Sequence, residues 1–545
     1  MSYPVCLVDI YGREEQWTLQ ADVSPGKPFG ESPASDLLSC QTEKHLHYAQ
    51  PTGHFSLTLA HRVDSRGRSW ADRLRPQDLV VIQMQNFGQR PGPHGQGELH
   101  TVMIGLIDSI RVAAGTSETG TPVRQIVVTG SDFGKLFQRG NVTYWSFLGA
   151  ATVGASEFIM PHYLNGQPHM VMTHLIKELF FKFMRPSWVF RNTTVNFEDV
   201  LGYALTSYQS EFPGGLDWQF IQSEAAFWSF FIKVASPPFH EIYLDTRRVS
   251  SFMNKGDSHP LARAERANKE IPLASDGTPL LQAFRGDIPS DSAIRLPLIT
   301  YGADNSAPFV ILRPPPFPDV APGGITVNLA PWNSLPTHVI DRDEIGFEAQ
   351  QQDLSRSDTE IFNLYLIHPR GSIIGETQYL LNVPPLLDRR RFHQYGYRPL
   401  MVQTTLLQYP NNENGNDPWL VFYQDLLWKL AGWNVLNDYY WSGTMSYPLM
   451  PHVHIGERLI DRSTWMTASG AQPSARSFYI ESIRHEFYAH QRASTKIGVT
   501  RGLREAEDQV YASMLQGVAG ELTDIGFDVR QQYLDLIHRG QEVPS

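Results

Sequence analysis

One piece of β-structure is written twice in this chain. Met103-Ile-Gly-Leu-Ile-Asp-Ser-Ile-Arg-Val112 crosses a polar loop and returns as Arg124-Gln-Ile-Val-Val-Thr-Gly130. Far downstream, Ser477-Phe-Tyr-Ile-Glu-Ser-Ile-Arg484 crosses a shorter polar loop and returns as Lys496-Ile-Gly-Val-Thr-Arg-Gly502. Ile107-Asp-Ser-Ile-Arg111 answers Ile480-Glu-Ser-Ile-Arg484, and the spacing from that Ile to the later Val-Thr differs between the copies by 2 residues. A repeated hairpin predicts a repeated antiparallel barrel, because closure removes the open edges a short sheet would expose. A protein that uses one barrel twice suits a part in an assembly.

At 545 residues the chain exceeds a single core, so about three or four domains are expected. Hydrophobic content of 41% and charged content of 19% exclude a disordered chain, and 12% aromatic residues favour β-rich packing. A net charge of −11 without a basic stripe argues against a surface that grips phosphate backbones. Two cysteines, Cys6 and Cys40, supply neither a disulfide framework nor a four-ligand zinc site. The opening residues lack a basic stretch followed by an apolar core, so no secretory signal is expected. No apolar run approaches the ~18 residues of a membrane span.

The first ~135 residues carry strand signals, among them Val5 to Ile10, the alternating His54-Phe-Ser-Leu-Thr-Leu-Ala60 and Leu79-Val-Val-Ile-Gln-Met84. Ser69 to Asp78 is expected to be a short helical or turn segment. The period then lengthens, and Met172 to Met184 predicts a helix stopped at Arg185-Pro186. A further helix is expected from Phe227 to Lys233, then an extended arm at His240-Glu-Ile-Tyr-Leu-Asp245 that pairs with Phe309-Val-Ile-Leu-Arg313. Ser250 to Asn305 is polar and predicts a surface excursion. Asp353 to Ile367 reads as a polar lead-in followed by a strand, Pro418 to Ala431 as a helix entered through Asn416-Asp417-Pro418. Strand signals resume at Tyr440 to Ser446 and His452 to Ile460, before the second hairpin and a charged helical tail from Arg504.

The order of Trp70-Ala-Asp-x-Leu-x-Pro-x-Asp78, Met103-Ile-Gly-Leu-Ile-Asp108, Gly130-Ser-Asp-Phe-Gly-Lys-Leu-Phe137, Ser357-Asp-Thr-Glu-Ile-Phe-Asn363 and Gly498-Val-Thr-Arg-Gly502 resembles the baseplate hub proteins of contractile-tailed bacteriophages. The resemblance spans roughly residues 1 to 505 and extends to hub parts of contractile injection systems and type VI secretion, which the sequence does not separate from a phage. It implies a mixed β fold with α: two tail-tube-like antiparallel β-barrel domains, helical insertions and a mixed α/β domain. The implied division is 1–137 for the first barrel, 138–215 for a helical insertion and 216–340 for the α/β domain. A second barrel at 341–503, with a helical insertion near 400–440, and a docking tail at 504–545 complete it. It also implies a homotrimer whose paired barrels form a pseudo-sixfold ring between a hexameric tail tube and a trimeric spike. Tape measure and surrounding wedge or ring proteins would be further neighbours. Viral DNA would only pass through the channel, flanked by the polar faces around Ile107 and Ile480. Such a part sits in the tail baseplate of the virion, is assembled in the host cytoplasm, inserts into no membrane and needs no cofactor. Residues 250–305, 377–398 and those beyond 505 have no counterpart in the pattern.

Chemical sites compete poorly with that expectation. His45-x-His47 and His452-x-His454 each place two imidazoles on one strand face, with Glu43 and Glu457 as the only nearby acids, which is thin for a metal. No Gly-rich turn or helix start presents Cys6 or Cys40 as a nucleophile. Gly88 to Gly97 lacks the Lys-Ser/Thr ending of a phosphate loop and predicts a hairpin connection. Asp353 and Asp358 could form the carboxylate pair of a cell-wall glycan hydrolase, yet acids in a polar lead-in more often serve turns and caps. Arg389-Arg-Arg391 suits an acidic neighbouring subunit or solvent rather than nucleic acid. No catalytic, cofactor or metal residue is therefore assigned, and a non-enzymatic role is expected.

Overall fold

The computed structural model describes residues 3–23, 36–48, 52–86, 98–116, 122–143, 167–184, 186–207, 215–216, 224–253, 292–321, 326–340, 351–369, 385–404, 406–407, 418–462, 475–504, 508–520 and 522–524. The protein is predominantly antiparallel β, and its largest element is one 13-stranded sheet. In chain order its strands are β1 (Val5–Tyr11), β2 (Gln16–Asp22), β3 (Leu37–His45), β4 (His54–Ala60), β5 (Leu79–Gln85), β6 (Leu99–Thr116) and β7 (Pro122–Asp132). The remainder are β8 (Thr337–Ile340), β9 (Gln351–Ser355), β10 (Trp441–Pro448), β11 (Arg458–Asp461), β12 (Arg476–Tyr488) and β13 (Arg492–Arg504). The hydrogen-bonded order is β2-β1-β5-β6-β7-β4-β3-β12-β13-β10-β9, with β11 on the first part of β12 and β8 alongside β11.

Both repeated segments are the long antiparallel hairpins expected, β6/β7 and β12/β13. Alternation makes the cores. In β1, Cys6, Val8 and Ile10 point inward between more exposed neighbours, and they meet Leu57 and Leu59 of β4 and Ile82 of β5. What the hairpins did not foretell is that β3 pairs with the second half of β12, from Ser482↔His45 to Tyr488↔Ser39. The two halves thus belong to one continuous sheet, and Phe487 and Leu449 from the second half complete the core of the first.

Phe55 lies over two glycines, Gly105 of β6 and Gly130 of β7. A Cβ at Gly130 would overlap both the Phe55 ring and the carbonyl oxygen of Leu106, which is backbone and cannot step aside. Gly130→Ala is expected to destabilise the protein by about 1–3 kcal/mol, read as a lower midpoint of denaturant unfolding.

A second sheet covers the joined halves. Glu241–Arg248 pairs antiparallel with Ser306–Arg313 as the sequence predicts, and Gly202–Thr206 and Ser292–Arg295 extend it. Ser306–Arg313 is buried along almost its whole length because both faces are covered. Phe309 and Ile311 face the second half of the main sheet, whereas Val310 and Leu312 face a helical layer. That layer contains the expected helices Phe227–Ala235 and Pro418–Asn434, and Pro168–His174, which runs on into a π-helical Leu175–Met184. A small third sheet holds Leu364–Pro369, Pro399–Thr404, Leu386–Asp388 and Leu522–Asp524.

Three local expectations change. The excursion at 250–305 is folded at its end, where Ser292–Arg295 is a strand and Asp304 accepts from the Thr101 amide at 2.9 Å and its hydroxyl at 2.5 Å; residues 254–291 lie outside the described residues. The polar lead-in at Asp353 is itself strand β9, its exposed residues suiting a sheet edge. His452 to Glu457 is a turn rather than a strand, because Gly456 takes a φ of 74° and strand pairing begins at Arg458. Among the described residues no helix is long and apolar enough to cross a membrane.

Candidate functional site

The repeat reaches beyond the hairpins. Before β5, the Gln77 amide donates to the Ile107 carbonyl at 2.9 Å and the Ile107 amide to the Asp78 carbonyl at 3.0 Å. Before β11, the Gly456 amide donates to the Ile480 carbonyl at 2.8 Å and the Ile480 amide to the Glu457 carbonyl at 3.0 Å. Gln77 and Gly456 share the left-handed region, at φ 75° and 74°. Each turn is closed by its own carboxylate, Asp78 accepting from the Arg75 amide at 2.8 Å and Glu457 from the His454 amide at 3.1 Å.

The correspondence continues through the hairpins. A bulge falls between Ile107 and Ser109 in one and between Ile480 and Ser482 in the other, leaving Asp108 and Glu481 as the extra residues. Each extra carboxylate accepts a hydroxyl from the returning strand, Asp108 from Ser131 at 2.5 Å and Glu481 from Thr500 at 2.8 Å. Since Ile107 pairs with Gly130 and Ile480 with Val499, the matching Val-Thr dipeptides of the sequence are 2 residues out of structural register. The strand orders then agree as well. β5-β6-β7-β4-β3 in the first unit matches β11-β12-β13-β10-β9 in the second, all antiparallel.

Where the units join, a buried charge network crosses three elements. Asp245 of the covering sheet contacts Lys44 of β3 at 2.5 Å, Arg247 Nε at 2.6 Å and His454 Nδ1 at 3.2 Å. Arg247 also pairs with Glu457, whose other oxygen meets His338 at 2.6 Å. Burial alone would raise the Asp245 carboxyl, but Lys44, Arg247 and His454 hold it well below the usual carboxylate range. Glu457 is held low against its own burial by Arg247 and His338. At Asp78, its counterpart in the first unit, burial outweighs the Arg75 amide and charge and lifts the carboxyl to about 6. His452 packs against His338 and His100 with ring centroids 5.3 and 5.9 Å away, and burial together with those rings pushes its pKa down.

The sequence candidates fall into place around this frame. His45 meets Glu43 at 2.9 Å, His47 stacks on Tyr48, and both line an open groove with Glu241, Tyr479 and Arg501. Among the described residues no group of three or more His, Cys, Asp or Glu is arranged to hold a metal ion. Cys6 and Cys40 adjoin one another in the first core, and burial raises the Cys6 thiol, the opposite of what a nucleophile needs. Gly88 to Gly97 lies outside the described residues but joins the antiparallel β5 and β6. Asp358 is tied to Arg398 at 2.9 Å, while Asp353 stands exposed on β9. The arginine triplet is split: Arg391 is buried between Asp388 and Asp438, both at 2.8 Å, with Arg389 and Arg390 outside. Sequence reasoning missed Lys44, Asp245, Arg247 and His338 as partners, since nothing in their local spacing joins them.

In structure the chain is similar to phage tail proteins. It matches the tail protein from Neisseria meningitidis MC58 at a TM-score of 0.38 and 12% identity, over 93% of this chain and 98% of that one. For the 43 kDa tail protein of prophage MuSo2 from Shewanella oneidensis the values are 0.40 and 8%, over 91% and 98%. A type VI secretion component from E. coli gives 0.35 and 6%, over 87% and 74%. No family model matches the chain, and no curated protein matches it in sequence.

Proposed function

We propose that this protein is the structural hub of a phage tail baseplate, a homotrimeric ring that joins a hexameric tail tube to a trimeric spike. The observation that supports it most is the repeated five-strand unit. A ring that meets six equivalent tube subunits on one side and three spike chains on the other needs each of three chains to offer two alike modules, and closed cyclic symmetry is the ordinary way to arrange them. Residues 1–137 and 341–503 are the tube-like barrel domains in this reading, 138–215 and 216–340 fill the gaps between copies, and 504–545 docks a neighbour. The polar positions beside the bulges, Ser109 and Arg111 in one unit and Glu481 in the other, flank the channel through which DNA passes. The work of such a part is geometric rather than catalytic, and its place is the tail tip of a virion assembled in the host cytoplasm. The hub of a bacterial contractile injection system is built on the same plan.

Solution mass and negative-stain imaging of the purified chain test the reading. Threefold rings at three times the 61.7 kDa chain mass are the expected result. A monomer that stays monomeric at high concentration and shows no central channel would refute it.

A further inference from the structure

Among the described residues, the internal joint between the two units leaves two complementary edges without a neighbouring strand. In the second unit, β11 covers only the start of β12, and β3 of the first unit covers the rest, Ser482 to Tyr488. In the first unit, β5 likewise covers β6 only as far as Leu106, yet among the described residues no strand pairs with the corresponding stretch, Ser109 to Thr116, on that side. The structural counterpart of β3 is β9, and β9 is the last strand of the sheet among the described residues. Each end of the molecule therefore carries one half of a joint whose completed form lies in its middle.

We infer that β9 of one copy pairs antiparallel with the Ser109–Thr116 stretch of β6 in a second copy of this chain, in the register of the internal joint; closure of such contacts into a trimer rests on the hub reading above. The register follows from the shared neighbours of the matched strands. Cys40 pairs with Leu57 as Gln352 pairs with Met445, which makes Gln41, Thr42 and Glu43 the counterparts of Asp353, Leu354 and Ser355. Arg484, His485 and Glu486 are the counterparts of Arg111, Val112 and Ala113 through the common bulge. Internally Arg484 faces Glu43, His485 faces Thr42 and Glu486 faces Gln41. Between copies, Arg111 then faces Ser355, Val112 faces Leu354 and Ala113 faces Asp353.

The side chains suit this pairing. Val112 is 51% exposed in the single chain, an unusual position for a strand valine, and the joint would place it against Leu354, which already leans on the second core. Internally Arg484 donates to Gln41 at 3.4 Å, across the diagonal of the ladder. The same diagonal between copies brings the exposed Arg111 to the exposed Asp353, so a neutral contact becomes one of opposite charge. An open strand edge is also a hazard that a folded chain must cover, and a second copy covers both edges at once.

Cysteine pairing under mild oxidation tests the register on the full-length chain. Opposite residues of antiparallel strands lie within the ~4.4–6.8 Å Cα separation a disulfide spans. The Ala113→Cys, Asp353→Cys double variant is expected to give covalent oligomers on a denaturing gel, while each single variant and the out-of-register pair Ala113→Cys, Gln352→Cys give less than a tenth of that yield. Arg111→Glu is expected to weaken association at least tenfold, and Arg111→Glu with Asp353→Arg to recover most of it. Threefold rings that form without in-register crosslinks would overturn this joint and leave the hub reading standing. In-register crosslinks that grow into open filaments would support the joint and overturn the closed trimer. A chain that neither crosslinks nor associates would overturn both.

Discussion

Asp245→Ala is expected to cost about 3–5 kcal/mol of stability, seen as a marked fall in the midpoint of denaturant unfolding. The carboxylate it removes is buried and sits among Lys44, Arg247 and His454. With it gone, two cations from different elements face each other in a space from which water is largely excluded. Glu457 holds Arg247 through its other side but does not reach Lys44 among the described ion pairs. Such a loss exceeds what the ion pair itself contributes, because the cost is that of the unpaired charge left behind. Asp358→Ala is the comparison: its partner Arg398 remains partly in solvent, and the change should be less than about 1 kcal/mol. Equal small effects from both substitutions would show that the junction admits water freely.

Acid is expected to unfold the protein with an uneven profile, shallow from pH 6.5 to 5 and steep below pH 4. Burial lowers His485 to about 3 and His240 to about 4, so as pH falls below the unfolded value of ~6.5 the unfolded chain takes up protons that the native chain refuses. Each costs on the order of 2 kcal/mol by pH 5. Two buried carboxyls act in the opposite sense. Asp132, raised to about 7, and Asp78, at about 6, bind protons in the native state first, and acidification strengthens folding through them until pH ~4. The contributions of these four groups are similar in size, which flattens the upper limb; His452 and His454, also lowered by burial, add to the loss, and Asp9, Asp319 and Glu481, raised by burial, add to the gain. Below pH 4 the offset stops growing while native His485 still resists protonation, and Asp245 and Glu457, held low by their cations in the native state, take up protons in the unfolded chain where those cations are gone. About three protons are then taken up on unfolding, a slope of on the order of 4 kcal/mol per pH unit. Unfolding midpoints measured at half-unit intervals from pH 7 to 3 test this, and a flat limb between pH 4 and 3 would contradict it.

The parts of this fold that were legible in the sequence are those written locally. The repeated Ile-Asp/Glu-Ser-Ile-Arg announced both hairpins, and apolar spacing bounded by Pro418 or ended near Lys233 announced the two best-formed helices. The pairing of β3 with β12 was not legible, because a ladder between distant strands is made by backbone groups that every residue carries. β9 was hidden by its own edge position: Gln351–Ser355 is polar where a central strand would be apolar. The buried junction was hidden for a related reason. Lys44, Asp245 and Glu457 look like ordinary surface charges until the covering sheet is laid over the joint, and Arg389 to Arg391, read as a face for an acidic neighbour or solvent, is divided by helix geometry. The resemblance in the order of weak motifs carried further than any motif alone, since order survives where individual residues drift.

The ladder between β3 and β12 also sets a timetable. Gln41 and Tyr488, which bond across it, are 447 positions apart. At a synthesis rate of roughly 5–20 residues per second, about 20 to 90 seconds separate the emergence of β3 from that of its partner. During that interval the nascent first lobe lacks Phe487 and Leu449 from its interior and carries a bare strand along one side. Lys44, which later becomes half of a buried pair, is then a solvated charge on that bare strand, the kind of residue that discourages premature pairing with a neighbouring ribosome's product. A strand made late is therefore what finishes the first lobe.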